Sequence, residues 1–326
     1  PPPLPADLSL PGPYGVGVRT VTVTDPARGR ELAVDVWYPI PAGATDGADN
    51  QYEIEMPLFG TVSRIDSTAR RGATPAPLGP RPLVVFSHGY GGVRFQSIFL
   101  TEHLATWGVV VAAPDHPGNT LSEPARLGDD AAAAQSAQDR PLDVALVLDR
   151  MLADGLGTGV AIDVARIATS GHSFGGWTSL EVARRDPRVR AVLPLAPGFK
   201  QGATPDFVAA LARPILIVGG TLDDTCEYAT DQELPYTLAQ TPKHLLGVVG
   251  AGHLDFSNLC DVAIARLFVD DGCEPDNIDP AVVHRRVRAV GTAFALRYLL
   301  DDERAEPYLA PAAVAALGDV VYQRAP

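Results

Sequence analysis

The chain of 326 residues is 46% hydrophobic and 20% charged, a composition typical of a globular domain. Its 39 acidic and 26 basic residues give a formal net charge of −13, which argues against nucleic acid or an anionic membrane surface as the main partner. No apolar run approaches the ~20 residues that a membrane-spanning helix needs. We therefore expect one domain without an integral membrane segment, and we favour a monomer.

The N-terminal segment and the cysteines bear on where the protein is found. Residues 1–17 are rich in proline, which favours a stiff, extended conformation. Because the chain begins at Pro1 rather than Met, we expect a processed protein that is secreted or periplasmic. Cys260 and Cys273 enclose a short loop that suits a disulfide; pairing of Cys226 with Cys260, or three reduced thiols, are the alternatives. A disulfide would support export.

The first regular elements are two segments of alternating apolar and polar residues. Residues 18–24 and 31–38 flank a turn at 25–29, which predicts an antiparallel hairpin at a sheet edge. Residues 39–80 show little periodicity and many Gly, Pro and polar side chains. This composition predicts a long surface excursion near the rim of a functional site.

Buried strands then alternate with helices along the chain. Apolar runs predict strands at residues 82–87, 109–112, 165–170, 189–195, 214–218 and 244–249. Helical spacing predicts helices at residues 93–107, 141–152, 176–184, 234–240 and 280–300. The alternation predicts an α/β fold, with a mostly parallel central sheet, helices on both faces and the N-terminal antiparallel hairpin.

The predicted domain spans residues 18–300 and carries three insertions. We place them near residues 39–80, 121–138 and 254–279, and residues 301–326 form a C-terminal tail.

The segment Gly171-His172-Ser173-Phe174-Gly175 matches G-x-S-x-G between a predicted strand and a predicted helix. A serine on such a tight turn has its hydroxyl pushed out of the sheet. The glycines remove Cβ atoms that would collide where the backbone bends sharply. We therefore predict that Ser173 is a nucleophile.

A serine hydroxyl needs a base to remove its proton and an acid to orient that base. Asp223 follows the strand at 214–218 and lies 50 residues after Ser173. His253 follows the strand at 244–249 and lies 30 residues after Asp223. Groups just past the carboxyl ends of parallel strands lie at the rim where ligands bind. We therefore predict a Ser173–His253–Asp223 triad, with Asp224 as the direct competitor of Asp223.

An oxyanion produced at this serine needs two backbone N–H donors. The first is expected from Phe174, which follows the nucleophile. The second is expected from Tyr90, in the glycine-rich turn His88-Gly89-Tyr90-Gly91-Gly92 after the strand at 82–87. Tyr90 and Phe199 are also candidates for the wall of a substrate pocket.

The remaining histidines receive structural assignments, and His88 is expected to hold its loop by hydrogen bonds. No histidine or cysteine pair in the sequence has metal-ligand spacing, and no Gly-rich phosphate motif follows a strand. We predict neither a metal nor an organic cofactor.

Several motifs carry a family resemblance over most of residues 18–300. The segments VDVWYP, FSHGYGG, PDHPGNT, RPLDVALVLDR, GHSFGG and AGHLDF resemble α/β hydrolases, in particular bacterial relatives of platelet-activating-factor acetylhydrolase. The framework is also similar to cutinase-like polyester hydrolases, whose oxyanion donors correspond to Tyr90 and Phe174. Dienelactone hydrolases share the fold but use a cysteine nucleophile, so Ser173 weighs against them.

The resemblance implies a serine ester hydrolase that forms an acyl-enzyme on small esters or short-chain, phospholipid-type esters. The alternative is a cutinase-like polyester hydrolase. A third hypothesis, from a different functional class, is an inert α/β hydrolase that serves as a binding protein.

Overall fold

The computed structural model describes residues 3–56, 60–123, 129–200, 204–262, 271–274 and 277–326. Its strands form one sheet of eleven, in the order β11-β10-β9-β8-β7-β5-β6-β2-β1-β4-β3. The strands are β1 Gly15–Asp25, β2 Arg30–Ile40, β3 Ala48–Met56, β4 Gly60–Arg71, β5 Arg81–Ser87, β6 Val110–Pro114, β7 Ile162–His172, β8 Val189–Leu195, β9 Ile215–Gly220, β10 Lys243–Val248 and β11 Val320–Ala325.

Strands β5 to β10 form the parallel centre that the apolar runs predict. Every residue of β5 after Arg81 is buried, because the strand is covered on both faces. Val84 and Phe86 contribute to one hydrophobic core and Leu83 and Val85 to the other, on opposite faces of the sheet. The predicted α/β-hydrolase arrangement, a mostly parallel sheet between two helical layers, is confirmed.

The helices are α1 Ile98–Thr106, α2 Asp130–Asp154, α3 Phe174–Arg185, α4 Leu234–Leu238, α5 Pro280–Tyr298 and α6 Pro311–Ala315. Helix α1 begins five residues later than expected, whereas α2 begins eleven residues earlier and contains Pro141 in its interior. The side chain of Asp129 caps α2 by accepting from the N–H groups of Ala131 and Ala132. This cap lies inside the segment assigned to an irregular insertion at 121–138, of which residues 124–128 lie outside the described residues.

The two edges of the sheet differ from the expectation. Strands β1 and β2 form the predicted hairpin, but β2 also pairs with β6 and β1 with β4, so the hairpin is internal. The edge is instead β3, which pairs with β4 inside the segment predicted to be a surface excursion. At the opposite edge β11 pairs with β10, although we assigned its residues to a tail.

Further findings concern the cysteines, membrane-spanning helices and the insertion predicted at 254–279. The structure contains a disulfide between Cys260 and Cys273, and Cys226 is a free, buried thiol. Of the pairings left open, the short staple is the one observed. Within the described residues, no helix is both long and apolar enough to cross a membrane. Much of the predicted insertion at 254–279 lies outside the described residues; short 3-10 turns occur at Leu254–Phe256 and Leu259–Asp261.

Candidate active site

Ser173 occupies a strained turn between β7 and α3. Its φ of +58° and ψ of −122° lie outside the regions that side chains other than glycine readily adopt. A Cβ on Gly175 would lie 1.8 Å from the carbonyl oxygen of Ser87, and one on Gly171 would lie 2.3 Å from the carbonyl oxygen of Gly175. Both glycines are therefore required for the turn, which leaves the Ser173 residue half-buried at the end of the strand.

Asp223 and His253 are brought together by the loops that follow β9 and β10. The Nδ1 atom of His253 lies 2.9 Å from Oδ2 of Asp223, and both residues are buried. The other carboxylate oxygen of Asp223 accepts a hydrogen bond of 2.6 Å from the backbone N–H of Cys226. Asp224, its competitor in the sequence, is exposed, and its backbone N–H donates to Asp271.

His172 connects the serine turn to the loop that carries His253. Its ring lies 4.6 Å from that of His253, centroid to centroid, and its Nε2 atom lies 3.0 Å from the His253 carbonyl oxygen. That oxygen can only accept, so Nε2 carries the proton. Burial and the neighbouring His253 hold the pKa of His172 well below its ordinary value. Neutral His172 therefore links the backbone of His253 to the turn that carries Ser173.

Gln96 is a site residue that the sequence analysis missed. Its side-chain Oε1 accepts from the Gly89 N–H at 2.9 Å, and its Nε2 lies 2.9 Å from Nδ1 of His172. The backbone carbonyl oxygen of Gln96 accepts a hydrogen bond from the Asn258 N–H at 2.6 Å. Gln96 thus connects the glycine-rich turn, the serine turn and the histidine loop. No local pattern distinguishes it, because two of its three partners, His172 and Asn258, are distant in sequence.

Cys226 lies directly beside the serine. A Cβ on Gly198 would lie 2.6 Å from Cys226 Sγ and 3.9 Å from Ser173 Oγ, so the two side chains face the same space. Burial, followed by the charge of Asp223, raises the pKa of the thiol. A protonated thiol therefore lines the site next to Ser173.

The side chains of the two residues predicted to supply the oxyanion donors are neighbours in space. Phe174 is the first residue of α3, a position whose N–H has no acceptor within the helix. The rings of Tyr90 and Phe174 are 6.2 Å apart, and Tyr90 is half-buried. Phe199 is 8% exposed, and its ring lies 6.3 Å from that of Phe207. The backbone of Phe199 follows Gly198, which itself approaches Ser173.

Asp271 joins the loops of the acid and the histidine. One carboxylate oxygen accepts from the His253 N–H at 2.9 Å. The other accepts from the N–H groups of Asp224 and Thr225 and from the Thr225 hydroxyl, at 3.1, 2.8 and 2.6 Å. A single side chain thereby fixes the separation of the two loops that carry Asp223 and His253. Its role also has no local sequence signature.

A second set of serine, histidine and aspartate side chains is buried beneath the glycine-rich turn. Ser87 Oγ lies 2.7 Å from His116 Nε2, and His116 Nδ1 lies 3.0 Å from Asp143 Oδ2. Burial lowers the pKa of His116 to about 4, so its ring is neutral at pH 7. Ser87 is 1% exposed and cannot meet a substrate. We assign this set to the support of the turn.

The described residues contain one group of side chains with the spacing of metal ligands. It comprises Asp223, Cys226 and His253, whose ligand atoms lie within 4.8 Å of one another. The carboxylate and the imidazole are already bonded to each other at 2.9 Å. We therefore assign no metal to them.

A parallel sheet with helices on both faces and a serine turn after its central strand β7 defines an α/β hydrolase. The profile of the family described as PET hydrolase-like matches residues 79–271, which is more than half of the chain. The chain belongs to this PET hydrolase-like family.

Individual relatives agree with the family assignment. The chain is 30% identical to cutinase est1 of Thermobifida alba over 197 residues, which cover 58% of this chain and 60% of the relative. It is 27% identical to the bis(hydroxyethyl) terephthalate hydrolase of Streptomyces coelicolor over 197 residues, 58% of this chain and 57% of that protein. These matches span only about three fifths of each relative's length.

A solved structure extends the likeness to nearly the whole chain. The ferulic acid esterase from Streptomyces cinnamoneus superimposes on this chain with a TM-score of 0.75 at 26% sequence identity. The match covers 98% of this chain and 99% of the esterase chain. The resemblance to cutinase-like hydrolases is therefore confirmed. The resemblance to platelet-activating-factor acetylhydrolase stays a prediction.

Proposed function

We propose that the protein is a carboxylic ester hydrolase that uses Ser173 as its nucleophile. The observation that carries the proposal is the buried Asp223–His253 pair, joined at 2.9 Å, next to a serine held at positive φ. The relatives, which are named as cutinases, a terephthalate ester hydrolase and a ferulic acid esterase, support the same reaction class.

In the proposed reaction Ser173 attacks the ester carbonyl while the His253 imidazole accepts the hydroxyl proton. Asp223 holds the proton on His253 Nδ1, so that Nε2 is the basic nitrogen, and it stabilises the imidazolium that forms. The imidazolium then gives its proton to the leaving alcohol. Water, activated by the same imidazole, attacks the acyl-enzyme and releases the acid.

The carbonyl oxygen becomes an anion in both steps. We propose that the backbone N–H groups of Tyr90 and Phe174 donate to it. The position of Phe174 at the start of α3 supports this assignment, because the positive end of the helix dipole also faces a developing negative charge there.

For the substrate we propose an ester of an aromatic acid, of the terephthaloyl or feruloyl type, with a polyester as the extended case. The names of the relatives support this choice over the small-ester and short-chain phospholipid alternatives. The half-buried Tyr90 and the buried Phe199 are the proposed aromatic wall.

The substrate assignment is tested by comparing kcat/KM for bis(hydroxyethyl) terephthalate, methyl ferulate, p-nitrophenyl acetate and a short-chain phosphatidylcholine. We expect the two aromatic esters to exceed the phospholipid by at least about tenfold, since an extra apolar contact is worth about that much in discrimination. Release of soluble products from a polyester film then tests whether a polyester is also a substrate. Faster turnover of the phospholipid would overturn the aromatic assignment.

The reaction itself is tested by Ser173→Ala, His253→Ala and Asp223→Asn. We expect the first two to lose on the order of 10⁴-fold or more in kcat, and Asp223→Asn to lose a similar factor because it stabilises the wrong tautomer. Unchanged turnover in Ser173→Ala would contradict the mechanism. A complete lack of turnover in the wild type would favour an inert binding protein.

We also propose that the protein is exported. The Cys260–Cys273 disulfide supports this location, because disulfides persist in oxidising compartments. Mass spectrometry of the protein recovered from its native host, without added oxidant, tests the proposal. We expect the disulfide to be intact in material from outside the cytoplasm.

A further inference from the structure

The buried residue Arg140 has no place in the reaction described above. It lies on α2, is 0% exposed, and within the described residues makes no ion pair with a carboxylate. Asp143, three residues further along the helix, is bonded to Arg28, Arg30 and His116 instead. A fully buried arginine is ordinarily paired with an acid, so a different use of this charge needs an explanation.

The guanidinium of Arg140 binds two successive carbonyl groups of the glycine-rich turn. Its Nη1 donates to the His88 carbonyl oxygen at 2.8 Å, and its Nη2 donates to the Gly89 carbonyl oxygen at 2.9 Å. Burial lowers the pKa of Arg140 to about 9, so the group still carries its charge at neutral pH. The charge is therefore solvated by the backbone of the turn.

The Gly89 carbonyl oxygen collects two further hydrogen bonds. His88 Nδ1 lies 2.7 Å from it, and the Gly92 N–H donates to it at 3.1 Å. His88 Nε2 accepts from the His116 N–H at 3.1 Å, so the proton of this buried ring is on Nδ1. Arg140 Nη2 also lies 2.9 Å from Nδ1, but both atoms are donors, so both donate to the Gly89 oxygen and not to each other. Three donors, one of them a cation, thus converge on one carbonyl.

The carbonyl of Gly89 and the N–H of Tyr90 belong to the same planar trans peptide group, so they point in opposite directions. Holding the oxygen at Arg140 aims the N–H away from it. A cation on the oxygen also draws electron density from the nitrogen, because hydrogen bonds in a chain polarise one another. Both effects strengthen the Tyr90 N–H as a donor.

We propose that Arg140 is a positioning residue that orients and polarises the Gly89–Tyr90 peptide for binding of the oxyanion. The inference rests on the proposed ester hydrolysis at Ser173. The guanidinium also lies 4.5 Å from the centre of the Phe174 ring, so it contacts Phe174 as well as the peptide group that carries the Tyr90 N–H.

The test compares Arg140→Met and Arg140→Lys with Arg286→Met. Arg286 is a matched control, because it is 6% exposed and likewise donates to two carbonyl oxygens, those of Leu317 and Asp319, far from Ser173 in sequence. We expect Arg140→Met to lose about tenfold to a hundredfold in kcat with little change in KM, a fraction of the loss on removing an oxyanion donor. Arg140→Lys should recover part of the rate, and Arg286→Met should retain it.

A second readout reports on the oxyanion itself. A trifluoromethyl ketone labelled with ¹³C at its carbonyl forms a tetrahedral adduct with an active-site serine, and its chemical shift titrates with the oxyanion. We expect the oxyanion of this adduct to have a higher pKa in Arg140→Met than in the wild type, and an unchanged pKa in Arg286→Met.

The outcomes separate this inference from the proposed function. If the wild type forms no adduct at Ser173, the proposed function fails. If it forms the adduct and the folded Arg140 variants keep the wild-type kcat and oxyanion pKa, Arg140 is only structural and the inference fails. Should Arg140→Met not fold, Arg140→Lys, which keeps the charge but loses the two-pronged geometry, is measured in the same way, and an unchanged kcat and pKa in that variant overturn the inference.

Discussion

The carboxylate of Asp271 accepts a hydrogen bond from the backbone N–H of His253 at 2.9 Å. Its second oxygen is bound to the segment directly after Asp223, through Asp224 and Thr225. The distance between acid and histidine is therefore fixed by a residue that the reaction does not use. Because proton transfer depends on sub-ångström placement, this contact has measurable consequences.

We predict that Asp271→Ala lowers kcat by about tenfold to a hundredfold, because the two loops lose their common anchor. The loss should appear in steady-state kinetics with any ester the protein turns over. Asp129→Ala, which removes a carboxylate that caps two backbone N–H groups of α2, is the control and should lower only the melting temperature. Equal kcat values for Asp271→Ala and the wild type would show that Asp271 does not position Asp223 and His253 for the reaction.

We predict that the Cys260–Cys273 disulfide supports activity as well as stability. Asp271 precedes Cys273 by two residues, so the staple restrains the segment that carries the anchor. Cys260→Ser/Cys273→Ser should lose on the order of 3 kcal/mol in the free energy of unfolding, the value typical of a loop of this length. The kcat of this double variant should fall as well. Dithiothreitol should lower the kcat of the wild type but not that of the double variant. A double variant with wild-type kcat would limit the disulfide to stability.

We predict that the Cys226 thiol is inert in the folded protein. It is 3% exposed, and burial and the nearby carboxylate of Asp223 raise its pKa, so little thiolate exists at neutral pH. Alkylation by iodoacetamide at pH 7.5, followed by mass spectrometry, should be on the order of a hundredfold slower than for an exposed cysteine. Unfolding in guanidinium should restore labelling. Rapid labelling of the native protein would show that the thiol is open to solvent.

We predict a pH-dependent stability that originates at Asp255. Burial, with the charges of Asp271 and Glu274, raises its pKa to about 7, so the folded state retains a proton that the unfolded chain has released. This contribution is complete below about pH 4 and is lost as pH rises towards 7. Asp255→Asn, which keeps an acceptor for the Gly252 N–H, should therefore gain in melting temperature relative to the wild type between pH 4 and pH 8.

The gain in melting temperature should be several degrees, since each kcal/mol corresponds to about 1–2 °C in a protein of 326 residues. Asp206→Asn, at an exposed position, is the control and should show no such change with pH. If the melting temperatures of Asp255→Asn and the wild type differ by a constant amount between pH 4 and pH 8, the pH dependence does not originate at Asp255.

The positions of the proposed reactive groups were predictable, because each group follows a strand that a local run of apolar residues predicts. The apolar runs before Ser173, Asp223 and His253 predict parallel strands, and the carboxyl ends of such strands meet at one edge. The structure accordingly brings Asp223 and His253 together and sets the His253 ring against His172, the neighbour of Ser173. Only local pattern and general topology were needed.

The supporting contacts were not predictable, because they join residues far apart in sequence. Gln96 contacts His172 across 76 residues, and Arg140 contacts His88 across 52. A buried arginine and a surface arginine look alike in a sequence. Only the folded chain shows which carbonyl groups face them.

The missed edge strand β3 has a different cause. Asn50, Tyr52 and Ile54 are buried while Gln51 and Glu53 are exposed, so the period of two was present. Only two of the buried side chains are apolar, and the strand lies among Gly, Pro and Asp residues. Alternation with so few apolar residues is a weak signal unless a neighbouring strand is known.

Mapping the adduct of a fluorophosphonate probe by mass spectrometry shows which serine of the protein is the nucleophile. Ser87 also belongs to a set of serine, histidine and aspartate side chains, but it is 1% exposed, whereas Ser173 lies at a half-buried turn. We predict one adduct per chain at Ser173, which is abolished in Ser173→Ala and retained in Ser87→Ala. A folded wild-type protein without an adduct, or with its adduct at a serine other than Ser173, would show that Ser173 is not the nucleophile.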